Sequence, residues 1–187
     1  ESFLNISTII PLMLEIRTFQ GGYDNNLSYL LFEDNEAIIV DTSIDAKVIL
    51  KFCQDNHLKV KFAIIMHSHF DHLVKYPGIK TIASDHFKGE ADIKVKDNEV
   101  MEWKNHKLKF LHAPGHLYDS ICVLIENKLF TSDTLFIDNC GRTDLEGADR
   151  EEMQKTLARI KQLPDNTIIY PGHDYGNKPT ATLKEQK

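Results

Sequence analysis

Cysteine is scarce in this 187-residue chain: three residues, Cys53, Cys122 and Cys140, with neither paired nor zinc-knuckle spacing. That excludes a disulfide framework and fits a reducing, cytoplasmic compartment. Positive charge is also short, with 22 Lys and Arg against 28 Asp and Glu and a net charge of −6. A sequence-independent nucleic-acid binder needs a basic face to neutralise phosphates, so that class is excluded. No apolar run approaches the ~20 residues of a membrane span. Internal repeats and low-complexity tracts are absent, and nothing in the pattern speaks to oligomeric state. Residues 1–12 lean apolar but lack a basic leader region and a cleavage site, so they are read as an N-terminal extension rather than a signal peptide. Residues 13–187 are read as one domain, since 42% hydrophobic and 27% charged residues suit a soluble globular fold with a proper core.

What the chain has is histidine, nine in all. His67-Ser68-His69-Phe70-Asp71-His72 puts four metal-ligand side chains into six positions, directly behind the apolar run Phe62-Ala63-Ile64-Ile65-Met66. Residues 59–66 read as a buried strand. His67 and His69 then project to one side, because side chains of an extended chain repeat every two residues. The turn beyond brings Asp71 and His72 to a second position. Imidazole and carboxylate at this density make a poor core and a good metal site.

Three further residues repeat one pattern of strand, tight turn and ligand-type side chain. They are His116 in Ala113-Pro114-Gly115-His116, Asp133 in Phe130-Thr131-Ser132-Asp133-Thr134, and His173 in Tyr170-Pro171-Gly172-His173-Asp174. Strands are predicted at 12–19, 27–33, 36–41, 59–66, 99–103, 107–113, 119–125, 128–131 and 166–170, with a looser stretch at 70–98. Ile44, Val48, Ile49, Phe52 and Cys53 predict a helix over 44–56. Met153, Leu157 and Ile160 predict another over 149–162, acidic in its first turn and basic in its last, as the helix dipole favours. The pattern alone gives a mixed α and β fold.

The ligand string resembles that of the metallo-β-lactamase superfamily, from about residue 13 to the end. Asp24-Asn25-Asn26 with Tyr29, Ile39-Val40-Asp41, Ser132-Asp133-Thr134-Leu135-Phe136, Cys140-Gly141-Arg142-Thr143-Asp144 and Tyr170–Tyr175 are similar to its glyoxalase II (hydroxyacylglutathione hydrolase) and persulfide dioxygenase branches. The resemblance implies an α/β four-layered αβ/βα sandwich, two mixed β-sheets flanked by helices. It implies one metal site of His67, His69 and His116, a second of Asp71, His72 and His173, and Asp133 bridging both. Two divalent ions ~3.5–4 Å apart would share a hydroxide and polarise a carbonyl. Zinc comes first, and iron or manganese also suit these donors.

Asp71 and Asp133 are accordingly the expected catalytic carboxylates, and Arg142 and Tyr175 the candidate substrate contacts. Asp41 is expected either to orient a ligand histidine or to cap the following helix. His57, His86, His106 and His112 read as surface or packing residues, and Cys140 lacks a histidine partner that would make it a nucleophile. The first functional expectation is a thioester hydrolase similar to glyoxalase II, acting on a small thiol's acyl ester. Asp144 stands where that branch has an aromatic residue, and only residues 174–187 follow the last ligand where that branch continues into a helical segment with glutathione contacts. The alternative is a dioxygenase with a single Fe(II) on His67, His116 and Asp133.

Overall fold

Alternation along the strands sets the layers. In the computed structural model, which describes residues 13–186, β1 (Glu15–Gly21), β2 (Asn26–Glu33) and β3 (Glu36–Val40) run antiparallel to one another. Helix α1 (Ala46–Asp55) then returns the chain so that β4 (Lys59–Ile64) lies parallel to β3. On β2 and β3, Leu27, Tyr29, Leu31, Ile38 and Val40 face inward, while Leu30, Ala37 and Ile39 face α1 through Ile49 and Cys53. The period of two thus gives this sheet two buried faces.

The stretch 70–98, expected to be loose, holds two more parallel strands, β5 (Lys80–Ser84) and β6 (Ile93–Val95). Five- and three-residue strands are too short to show a period. The second sheet is built from β7 (Val100–Trp103), β8 (His106–His112), β9 (Ile121–Ile125), β10 (Lys128–Ser132), β13 (Ile168–Pro171) and β14 (Ala181–Thr182), in the order β14-β13-β10-β9-β8-β7. A small hairpin of β11 (Leu135–Phe136) and β12 (Asn139–Cys140) follows β10. Trp103, Leu108, Phe110, Ile121, Val123, Ile125 and Phe130 meet the inner face of the first sheet in one shared core. Helix α2 (Arg150–Ile160) covers the far side through Ile160, against Leu111, Cys122, Leu129 and Ile169. Helix, sheet, sheet, helix is the expected sandwich.

Both predicted helices stand, one or two residues shorter at each end. Their inner faces are rotated slightly from expectation: Val48 is exposed, and Thr156 is buried where Leu157 is only half-buried. The expected extension at residues 1–12 lies outside the described residues. Among the described residues no helix is long and apolar enough to cross a membrane.

Candidate metal centre

All seven expected ligands converge. The ligand atoms of His67, His69 and His116 form one group, those of Asp71, His72 and His173 another, and those of His67, His72 and Asp133 a third, each within 4.8 Å. The reason lies in the strand ends. β4 delivers His67, His69, Asp71 and His72, the last two on a single 3-10 turn (Phe70–His72). β8 leads to His116, β10 to Asp133 and β13 to His173. Leu27 N–H donates to the Gly172 carbonyl at 2.7 Å, and Ile121 N–H to that of Met66 at 2.9 Å, so the two sheets are stitched together at this rim.

Asp133 reaches both groups. Its Oδ2 lies 3.2 Å from His173 Nε2 and 3.5 Å from His116 Nε2, and its Oδ1 lies 3.5 Å from His72 Nε2. A bulge between Phe130 and Ser132 and a left-handed Ser132 (φ 44°) turn the chain out of β10 so that Asp133 points inward. Gly172 has to be glycine for the same reason: a Cβ there would stand 2.4 Å from Asp133 Oδ1.

The imidazoles are oriented from behind. His72 Nδ1 donates to Asp41 Oδ1 at 2.6 Å, His116 Nδ1 to the Arg142 carbonyl at 3.0 Å and His173 Nδ1 to the Asp24 carbonyl at 2.8 Å. Ser132 Oγ donates to Asp41 Oδ2 at 2.7 Å and receives His67 Nδ1 at 3.4 Å. With Nδ1 committed to these oxygen partners, Nε2 is the nitrogen that each of these rings turns inward, the one that would face a cation. His72 Nε2 and His173 Nε2 face each other at 3.3 Å, while His116 Nε2 lies 2.8 Å from His69 Nδ1. His67 Nε2 and Asp133 Oδ1 are buried and have no hydrogen-bond partner among the described residues. Orphaned acceptors converging in this way are what a cation satisfies.

Charge follows burial and neighbours. Burial, with His72 beside it, holds His67 well below the usual histidine range and keeps it neutral. Burial opposes charge on His72 too, but the Asp41 carboxylate and its hydrogen bond outweigh it and push the ring up to about 9. Asp133 is held well below the usual carboxylate range against its own burial, by His173, His72 and His67.

Asp41 orients His72, while the cap of α1 is Asp45, which accepts from Lys47 N–H, so the two expected roles fall to two residues. Arg142 contributes its carbonyl to His116, and its exposed guanidinium makes a bidentate pair with Asp144 at 2.9 Å. The Tyr175 ring stacks on His173 with centroids 4.7 Å apart, and its hydroxyl donates to Asp24. Of the remaining histidines, His57 and His86 are exposed; His106 is held by Glu33 and Glu126, and His112 by the Tyr118 carbonyl. Asn26 stands out in the sequence only as part of a motif, yet its Nδ2 lies 3.1 Å from both Asp71 Oδ2 and His72 Nε2. Asp119 does not stand out at all: buried, it accepts from Ser68 N–H at 3.4 Å, within the ligand loop. A lone aspartate after Leu117-Tyr118 carries no signal in the sequence. A cavity of about 680 Å³ between Ile65, Leu73, Tyr76 and Phe87 contains none of the seven ligands.

Comparison with known proteins agrees with this geometry. The model of the metallo-beta-lactamase superfamily matches residues 73–173. A hydroxyacylglutathione hydrolase of Pelagibacter ubique (strain HTCC1062) is 35% identical over an alignment of 177 positions that covers 86% of this chain and 70% of that protein. A probable polyketide biosynthesis zinc-dependent hydrolase, PksB of Bacillus subtilis (strain 168), is 29% identical over 91% of this chain and 82% of its own length. Among solved structures, ETHE1 from Myxococcus xanthus superposes with a TM-score of 0.85 over 92% of this chain and 81% of that one, at 24% identity, a likeness of fold. Fold, converging ligands, family model and relatives named as hydrolases agree: the chain belongs to the metallo-beta-lactamase superfamily.

Proposed function

We propose that this chain is a two-metal hydrolase that cleaves thioesters of small thiols, in the manner named for its hydroxyacylglutathione hydrolase relatives. The observation that carries the metal requirement is the meeting of His72 Nε2 and His173 Nε2, 3.3 Å apart, with both rings committed at their other nitrogen. His67, His69 and His116 would hold one ion and Asp71, His72 and His173 the other, with Asp133 between them. Divalent ions bound there supply Lewis acidity, bringing the pKa of water down toward about 7 and polarising a carbonyl. Zinc, iron and manganese all suit imidazole and carboxylate, and a relative named as zinc-dependent favours zinc.

The chain's own residues do the rest. Asp133 is kept ionised by the surrounding histidines and neutralises charge on both sides of the site. Asp71, less buried, has an oxygen 3.5 Å from His72 Nε2 and a hydrogen bond from Asn26, a position from which it orients an attacking water and receives its proton. Asp41, Ser132 and the carbonyls of Asp24 and Arg142 hold the rings so that they need not reorganise during the reaction. Tyr175, stacked on His173, and Arg142, whose carbonyl holds His116, are the candidate substrate contacts at the two groups. Unpaired cysteines, two of them buried, support a cytoplasmic setting.

The single-iron dioxygenase would use only His67, His116 and Asp133. It gives no metal to His69 or to the group of Asp71, His72 and His173. Metal analysis with thiol release from S-lactoylglutathione, under argon and in air, tests the proposal. Two ions per chain and equal thiol release in both atmospheres are expected. One iron per chain with oxygen uptake overturns the proposal in favour of the dioxygenase, and neither reaction with any divalent metal overturns both.

A further inference from the structure

Two large aromatic side chains stand in solvent at the rim of the metal centre. Phe70 is 74% exposed and Tyr23 64% exposed, and their rings meet edge to face at 5.4 Å. They come from separate elements. Phe70 sits between the candidate ligands His69 and Asp71, and Tyr23 sits in the β1–β2 turn whose Asp24 carbonyl holds His173. Apolar surface left in water is unfavourable to the free protein, and adjoining exposed aromatics mark a contact surface more than a packing one.

Beneath them lies a cleft of about 360 Å³, walled by Tyr23, Phe70 and Val74 and reaching Asp71 itself. Lys75 also lines it and forms no ion pair among the described residues. Asp45, the cleft's other carboxylate, is turned to Lys47 N–H as the cap of α1. Beside His116 the cation is already neutralised, since Arg142 is paired with Asp144. The cleft therefore combines continuity with the metal centre, aromatic walls and one uncommitted positive charge.

We propose that this cleft is a substrate subsite: it takes an apolar arm of the thioester against Tyr23 and Phe70 and pairs an anionic group on that arm with Lys75. This rests on the thioesterase reading and adds the substrate class, a thioester whose arm is apolar and ends in an anion. Pockets of this kind draw affinity from apolar walls and orientation from a few polar groups.

Three non-cleavable thioethers, titrated calorimetrically into the full chain as purified, test it: 4-(methylthiomethyl)benzoate, which carries ring and acid on one arm of the sulfur, its methyl ester, and 3-(methylthio)propionate. The ring-bearing acid should bind at least ten-fold more tightly than either of the others. Phe70→Ala and Tyr23→Ala should erase the preference for the ring, and Lys75→Met the preference for acid over ester, with the ring preference kept. Equal binding of the three probes overturns the assignment. So does an acid preference that survives in Lys75→Met, because the carboxylate is then held at the metal centre. Hydrolysis does not enter this readout, so a failed thiol-release assay and a failed subsite are told apart.

Discussion

Asp41 sits in left-handed backbone (φ 69°), where an aspartate is strained, and its two carboxylate oxygens are both used. One orients His72, and the other fixes the Ser132 hydroxyl that receives His67. Asp41→Ala strands two buried donors at about 1–3 kcal/mol each, read as a lower urea midpoint. It should also weaken metal binding about 10–100-fold, read by competition with a chromophoric chelator. A variant with unchanged metal affinity would show that Asp41 only packs. The seven ligands themselves are legible in the sequence, because metal-binding chemistry restricts residue type and puts ligands at strand ends. Asn26 and Asp119 are not, since an asparagine or aspartate has meaning only through what it meets, and their partners are 45 and 51 positions away.

At the scale of elements, α2 is the support for the His116 loop. Asp149 N–H donates to the Gly115 carbonyl and Thr156 Oγ1 to that of Pro114, while the Asp149 carboxylate caps the helix through Glu151 and Glu152 N–H. Gly115 (φ +141°) allows that approach, since a Cβ there would lie 2.4 Å from Met153 Cα. Asp149→Ala should cost about 1 kcal/mol by chemical denaturation, as loss of a helix cap does. No change would mean that the cap is redundant with packing. The amphipathic period and charge order of α2 make it readable from residues alone. β5, β6, β11, β12 and β14 are not readable in that way: at two to five residues none is long enough to show a period, and β5, β6 and β14 take their pairing from strands outside any local turn, while β11 and β12 form only a two-residue hairpin.

For the molecule as a whole, the proposed ions bind only the folded state. At a free concentration 100 times its Kd an ion adds about 2.7 kcal/mol per site. Chelation should therefore lower Tm by about 5–11 °C per site, since a chain of this size shifts roughly 2–4 °C per kcal/mol. Differential scanning calorimetry with and without chelator checks this, and superposed scans would argue against resident metal. Alkali should act through the core thiols. Burial raises Cys53 from 9.0 to about 11 and Cys122 from 9.0 to about 12. Above pH 9 the unfolded chain sheds protons that the folded chain keeps, so stability is intact below pH 9 and falls as pH climbs toward 11–12. Urea midpoints from pH 8 to 11 measure it, and with a thiol reagent at pH 8 only half-buried Cys140 should react before unfolding.

Strand β2 is bonded at its first residues to the segment carrying His173, with the Asn26–His173 bridge and Leu27 N–H to the Gly172 carbonyl. The ligand synthesised last is thus held by one of the first strands to leave the ribosome, and the His116 loop waits for Arg142 and α2 behind it. Both donor sets therefore close only when most of the chain has been made, and a nascent chain has no finished place for an ion before then.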